Sequence, residues 1–115
     1  MTNFRIQIHP HRCPQLDLAS ILSACESLAA ERAWVRRFSW EKGVDDHAYV
    51  NLMFETDFPK LLWKLLHEQL YQGNAFGRLM QTSSIATCEG RRGWDDYLLL
   101  HHYDAEQRCD DFPNN

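Results

Sequence analysis

The six histidines, four cysteines and sixteen acids of this chain are its reactive stock, and their spacing decides what chemistry they could perform. His9, His11 and Cys13 alternate along one short stretch; His101, His102, Asp104 and Cys109 form a second group. Zinc needs three or four such ligands converging tetrahedrally. Pro10 and Pro14 place the first group in an irregular loop. A last strand lying antiparallel beside the first would bring His101 to the start of strand one, remote from His9. Convergence then fails, so no metal or other cofactor is expected. Metal binding through His9, His11 and Cys13 remains an alternative reading. The cysteine gaps of 12, 63 and 21 positions match no zinc ribbon or finger. His67-Glu68 opens like the helical zinc-protease motif HExxH, but Tyr71 occupies the place of the second His.

Catalysis by a nucleophile is equally unsupported. The chain has no GxSxG or SxxK motif and no cysteine paired by sequence with a histidine. Asp45-Asp46, Asp95-Asp96 and Asp110-Asp111 are adjacent pairs, whose side chains point apart and make poor acid–base dyads. Gly90-Arg91-Arg92-Gly93 is a turn bearing two cations, not a phosphate-binding loop. The chain is therefore expected not to be an enzyme.

These residues must be positioned by a small number of elements. Phe4, Ile6 and Ile8 alternate with polar residues, the mark of a half-buried strand. Leu18, Ile21, Leu22, Cys25, Leu28 and Ala29 give residues 15–33 a helical stripe, with Pro14 near its start. Residues 34–41 and 47–55 alternate again around the turn-forming Lys42–Asp46, which predicts a hairpin. Residues 58–72 are a second leucine-striped helix, with Asp57 as its cap and Gly73 and Asn74 as its stop. Short strands are expected over 82–88 and 97–103. The predicted order is β-α-β-β-α-β, the split βαβ or ferredoxin-like arrangement. It would be an α+β domain of residues 1–104, an antiparallel sheet with two helices on one face and an extra C-terminal strand or hairpin. Residues 105–115 read as a polar, acidic, loosely ordered tail.

The same element order belongs to the RNA-recognition motif, and residues 45–52 (DDHAYVNL) resemble the second half of that family's third strand. Ala48, Tyr49 and Val50 match it. The resemblance implies base stacking on exposed aromatics. However, Asp45 and Asp46 stand where the family has a basic residue and Gly, and His47 replaces its first aromatic. Binding a polyanion requires cations, so nucleic acid is not an expected partner.

The charge distribution points the same way. Residues 1–88 carry nine acids and nine bases, whereas residues 89–115 carry seven acids and three bases, so the net charge of −4 resides in the last quarter. An acidic surface favours basic partners. No stretch reads as a signal peptide or membrane span; the densest apolar run, residues 58–66, is short and holds two lysines. Reduced thiols and a cytoplasmic location are expected.

With helices on one side, the other side of the sheet would be left for recognition. Arg5, Gln7 and His9 alternate outward on the first strand, as do Tyr49, Asn51 and Met53 on the third. Aromatics, Met and Arg are enriched in protein interfaces. The expected function is a small non-enzymatic protein-binding domain, an inhibitor or immunity-type protein that occludes a toxin or nuclease with a basic surface. Its contact residues would be Tyr49, Met53, Trp94, Asp95, Asp96, Tyr97, Asp104, Glu106, Asp110 and Asp111. The alternative class is a homodimer of the same fold that encloses a small ligand or acts as a small enzyme.

Overall fold

In the computed structural model, residues 1–31, 33–72 and 77–112 are described. The stop predicted at Gly73 and Asn74 lies outside them. Strand β1 (Thr2–Ile8) is followed by a single 3-10 turn at Pro10–Arg12 and by helix α1 (Leu18–Glu31). The hairpin β2 (Val35–Val44) and β3 (Ala48–Thr56) comes next, then α2 (Pro59–Leu66), which continues through a π-helical turn at His67–Tyr71. Helix α3 (Gly77–Ser83) leads directly into β4 (Ser84–Gly90), and β5 (Gly93–His101) follows.

The five strands form one antiparallel sheet in the order β2-β3-β1-β4-β5. The architecture is thus α+β, with three α-helices among the described residues where the sequence suggested two. The last strand pairs with β4 rather than β1. The end of β5 therefore does not lie beside the start of β1: His101 Nε2 donates to the Gln81 carbonyl at 3.0 Å, and its ring packs on Tyr71.

Each element follows from local chemistry. Asp17, not Pro14, begins α1: its carboxylate accepts from the Ser20 N–H at 3.2 Å and the Ser20 hydroxyl at 2.7 Å. At α2 the predicted Asp57 cap is not made: Phe58 occupies the N-cap position and no side chain caps the helix. The Thr56 hydroxyl accepts from the Phe58 N–H at 2.9 Å, while Asp57 instead pairs with Arg36 at 2.7 Å. The β4–β5 connection is the two-residue Arg91-Arg92 loop closed by Gly93 at φ 75°. Positive φ at that position, with a register shift between Cys88 and Gly90, is a type I turn ending in a glycine bulge.

One face of the sheet meets the helices. Phe4 faces Phe54, Ile6 faces Leu52, and Ile8 faces Val50, and all six are buried with Ile21, Cys25, Leu62, Leu66 and Met80 in a single core. Full burial of one such side chain contributes about 1.5–3 kcal/mol. The alternate residues of the same strands face away from the helices, and they define the site below.

Candidate recognition face

The face opposite the helices is ordered by strand register. One row crosses all five strands as Ser39, Met53, Arg5, Thr87 and Leu99. The next row is Glu41, Asn51, Gln7 and Ile85. In it Gln7 Nε2 donates to Asn51 Oδ1 at 3.0 Å, and Asn51 Nδ2 donates to Glu41 Oε1 at 3.3 Å. Asn51 is 5% exposed, so this relay satisfies a buried amide and fixes the middle of the face.

Around β5 the face deepens into a groove of about 590 Å³, whose lining includes Arg5, Thr87, Ile85, Leu99, Trp94 and Tyr97. The Arg5 guanidinium lies over the Trp94 ring at 5.1 Å. Trp94 is 40% exposed and Tyr97 54%, despite their size. The outer wall comes from the segment after β5. The Asp110 N–H donates to the Leu99 carbonyl at 2.7 Å, and its carboxylate accepts from the Leu99 N–H at 2.9 Å. Phe112 then packs against the core.

The register distributes the ten residues singled out from the sequence. Trp94, Asp95, Asp96 and Tyr97 are grouped on β5, all exposed. Tyr49 and Met53 are half-buried on β3, with β1 and β4 between them and the β5 group. Gly43 allows the Tyr49 ring to lie against β2, since a Cβ there would run into it. Asp104 forms a tight turn, accepting from the Glu106 N–H at 3.0 Å, and Glu106 is exposed beside it. Asp110 is spent on the β5 edge, and Asp111 lies beside α2 near Lys60 and Lys64. Sequence reasoning left out Thr87, Ile85 and Leu99, and it placed Arg5 on the face without seeing that it would be central. A strand pattern for 84–88 in phase with residues 4–8 carried that signal.

The histidines collect at the other end of the face. His9, His11 and His47 line a cavity of about 430 Å³ with Asp45, Asp46 and Tyr103. His11 and His47 stack at 3.9 Å with their planes 20° apart. A metal lies in the plane of each imidazole that binds it, about 2.1 Å from nitrogen; two stacked rings share no such point. Cys13 is buried in the core away from exposed His11. Among the described residues, no group of three His, Cys, Asp or Glu side chains is arranged to hold a metal ion. Burial pushes the His9 imidazole below its ordinary value, with His11, Arg12, His102 and His47 adding repulsion. Its Nε2 is buried and has no hydrogen-bond partner among the described residues. Arg12 is held over the Tyr103 ring at 3.8 Å, which ties this end to the segment after β5.

Fold and face together define an α+β domain with one uncovered sheet surface. No protein family, curated protein or solved structure matches the chain. Among the described residues, no helix is long and apolar enough to cross a membrane.

Proposed function

We propose that this chain is a non-enzymatic protein-binding domain that uses its uncovered sheet face to occlude a partner, in the manner of an inhibitor or immunity-type protein. We read its fold as the ferredoxin-like arrangement, for which the order β2-β3-β1-β4 speaks, with β5 added at the β4 edge. The observation that carries the functional reading is the pair Trp94 and Tyr97. Two large aromatics stand exposed on β5 at the lip of a groove, flanked by exposed Asp95 and Asp96. Aromatic anchors beside a desolvated pocket supply most of the affinity of typical interfaces. The acids of β5 and of the following segment favour a protein partner with a basic surface, such as a toxin or nuclease, and disfavour nucleic acid. Four free thiols accord with a reducing, cytoplasmic setting.

The test is a complex of defined stoichiometry. Basic candidate partners, and proteins retained from native lysate, are mixed with the chain and resolved by gel filtration. The complex should be lost on replacing Trp94 and Tyr97 with Ala, and should weaken with salt. Leu61→Ala, at an exposed position on α2, should leave it intact. The opposite pattern would place recognition on the helices and sink the reading.

A further inference from the structure

A guanidinium set in the middle of a sheet requires a counter-charge or water. Arg5 is half-buried on the central strand, and its cross-strand neighbours on the uncovered face, Met53 and Thr87, are neutral. The ion pairs among the described residues gather on Asp57, far from Arg5 in the register, so no carboxylate neutralises it. Among the described residues its ring contact is Trp94, at 5.1 Å. A cation–π contact uses the ring's quadrupole and consumes none of the five guanidinium N–H donors. An unneutralised cation with free donors thus stands in a groove of about 590 Å³. Ligand pockets span roughly 300–1,000 Å³.

We infer that this groove is a carboxylate-binding site, filled by a segment of the protein partner. The carboxylate sits on Arg5, and the adjoining apolar side chain lies along Ile85 and Leu99 beneath Trp94. The inference rests on the reading of the uncovered face as a recognition surface and names the group that it recognises. The planar fork of Arg suits carboxylate and phosphate alike. Charge decides between them. Arg5 is the one guanidinium among the lining residues of the groove, and exposed Asp95 and Asp96 lie on β5, the strand that carries Trp94, with Asp104 and Glu106 in the segment that follows. That field tolerates one negative charge and repels a phosphate dianion or a nucleic-acid backbone. A partner segment with one carboxylate among basic residues satisfies both the centre and the rim.

The probe pair is N-acetyl-phenylalanine and its amide, which differ only in carboxylate against carboxamide. They are titrated into the full chain while the Trp94 indole N–H is followed by NMR, assigned with Trp94→Phe. The acid should shift that signal saturably, and the amide should bind at least about tenfold more weakly. Arg5→Gln should abolish the difference while the remaining spectrum stays folded, and inorganic phosphate should not displace the acid. Equal titration by acid and amide, no shift with either, or displacement by phosphate overturns the assignment. The retained partner separates this inference from the reading beneath it. A complex abolished by Trp94→Ala but untouched by Arg5→Gln overturns the carboxylate site alone. A complex that survives both substitutions overturns the recognition face as well.

Discussion

The Tyr71 hydroxyl lies 2.6 Å from the Ser84 hydroxyl, and Ser84 in turn donates to the Met80 carbonyl at 2.7 Å. Tyr71 is therefore the donor of the first bond, and it ties the end of the π-helical turn to the start of β4. Tyr71 is fully buried, and that burial holds its phenol protonated well above the ordinary tyrosine range.

The two partners of this bond should respond unequally to removal. Tyr71→Phe takes away a donor but leaves the Ser84 hydroxyl bonded to Met80, at a cost of about 1 kcal/mol. Ser84→Ala strands the buried Tyr71 hydroxyl, at a cost of about 1–3 kcal/mol. Chemical denaturation should rank Ser84→Ala as the more destabilised, with the double variant losing less than the two combined. Equal losses would mean that Tyr71 has another acceptor.

The β4–β5 hairpin carries the aromatic lip, so its closure can be tested separately. A Cβ at Gly90 would run into the backbone carbonyl of Asp96, which cannot swing aside as a side chain would. Gly90→Ala should destabilise by about 1–3 kcal/mol through forced separation of the strands. Gly93→Ala should cost about 1–2 kcal/mol for a different reason, the positive φ of 75°. Denaturant midpoints measure both. A neutral Gly90→Ala would show that the hairpin is looser than its close approach implies.

Much of this fold is legible in the sequence because burial imposes a period on it. Phe4, Ile6 and Ile8 alternate since one side of β1 faces the core, and the Leu62–Leu66 spacing appears since α2 lies across the sheet. Helix α3 was not legible. Its seven residues bury Gly77, Met80 and Ser83, too few apolar positions to set a stripe. Asp57 reads as the cap of α2 from sequence alone, but its carboxylate pairs with Arg36 from β2, and Phe58 takes the N-cap position without a side-chain cap. The uncovered sheet face was half visible. Outward alternation identifies Arg5 and Tyr49 as facing away from the core. It takes register to align Arg5 with Thr87 and Leu99, and register is set by partners distant in sequence.

Thiol accessibility follows from the same burial. Cys13, Cys25 and Cys88 are buried and Cys109 is exposed. Burial pushes the Cys25 and Cys88 thiols up to about 12, which removes their thiolate at neutral pH. A disulfide reagent should modify one of the four cysteines rapidly in the native protein, and Cys109→Ser should abolish that phase. All four should react once denaturant is added. Rapid native modification of a second thiol would contradict the packing of Cys13 after the 3-10 turn, of α1 or of β4.

Stability should fall on mild acidification, and the histidines determine where. His9, His11 and His101 are each held below the ordinary value of 6.5, with desolvation the leading cause in all three. His11 also faces His47 and Arg12; His9 faces both of these with His11 and His102; His101 faces His67 and His102 but is partly favoured by the Gln81 carbonyl. Once unfolded, these imidazoles regain ordinary values and bind protons more readily than the native state does. The native state is then favoured above the unfolded value of 6.5, and that advantage is lost as pH falls from there through each depressed native value. Asp17, held low by Ser20, adds a separate loss only below its ordinary 3.8. Thermal melting should therefore decline between about pH 7 and about pH 5, before carboxylates contribute. His47→Ala removes the ring stacked on His11 at 3.9 Å and should shrink the decline without flattening it, because His101 lies at the other side of the sheet. A melting temperature constant across that interval would mean that the imidazoles remain solvated in the folded chain, and that the cavity beside His9 is open to water.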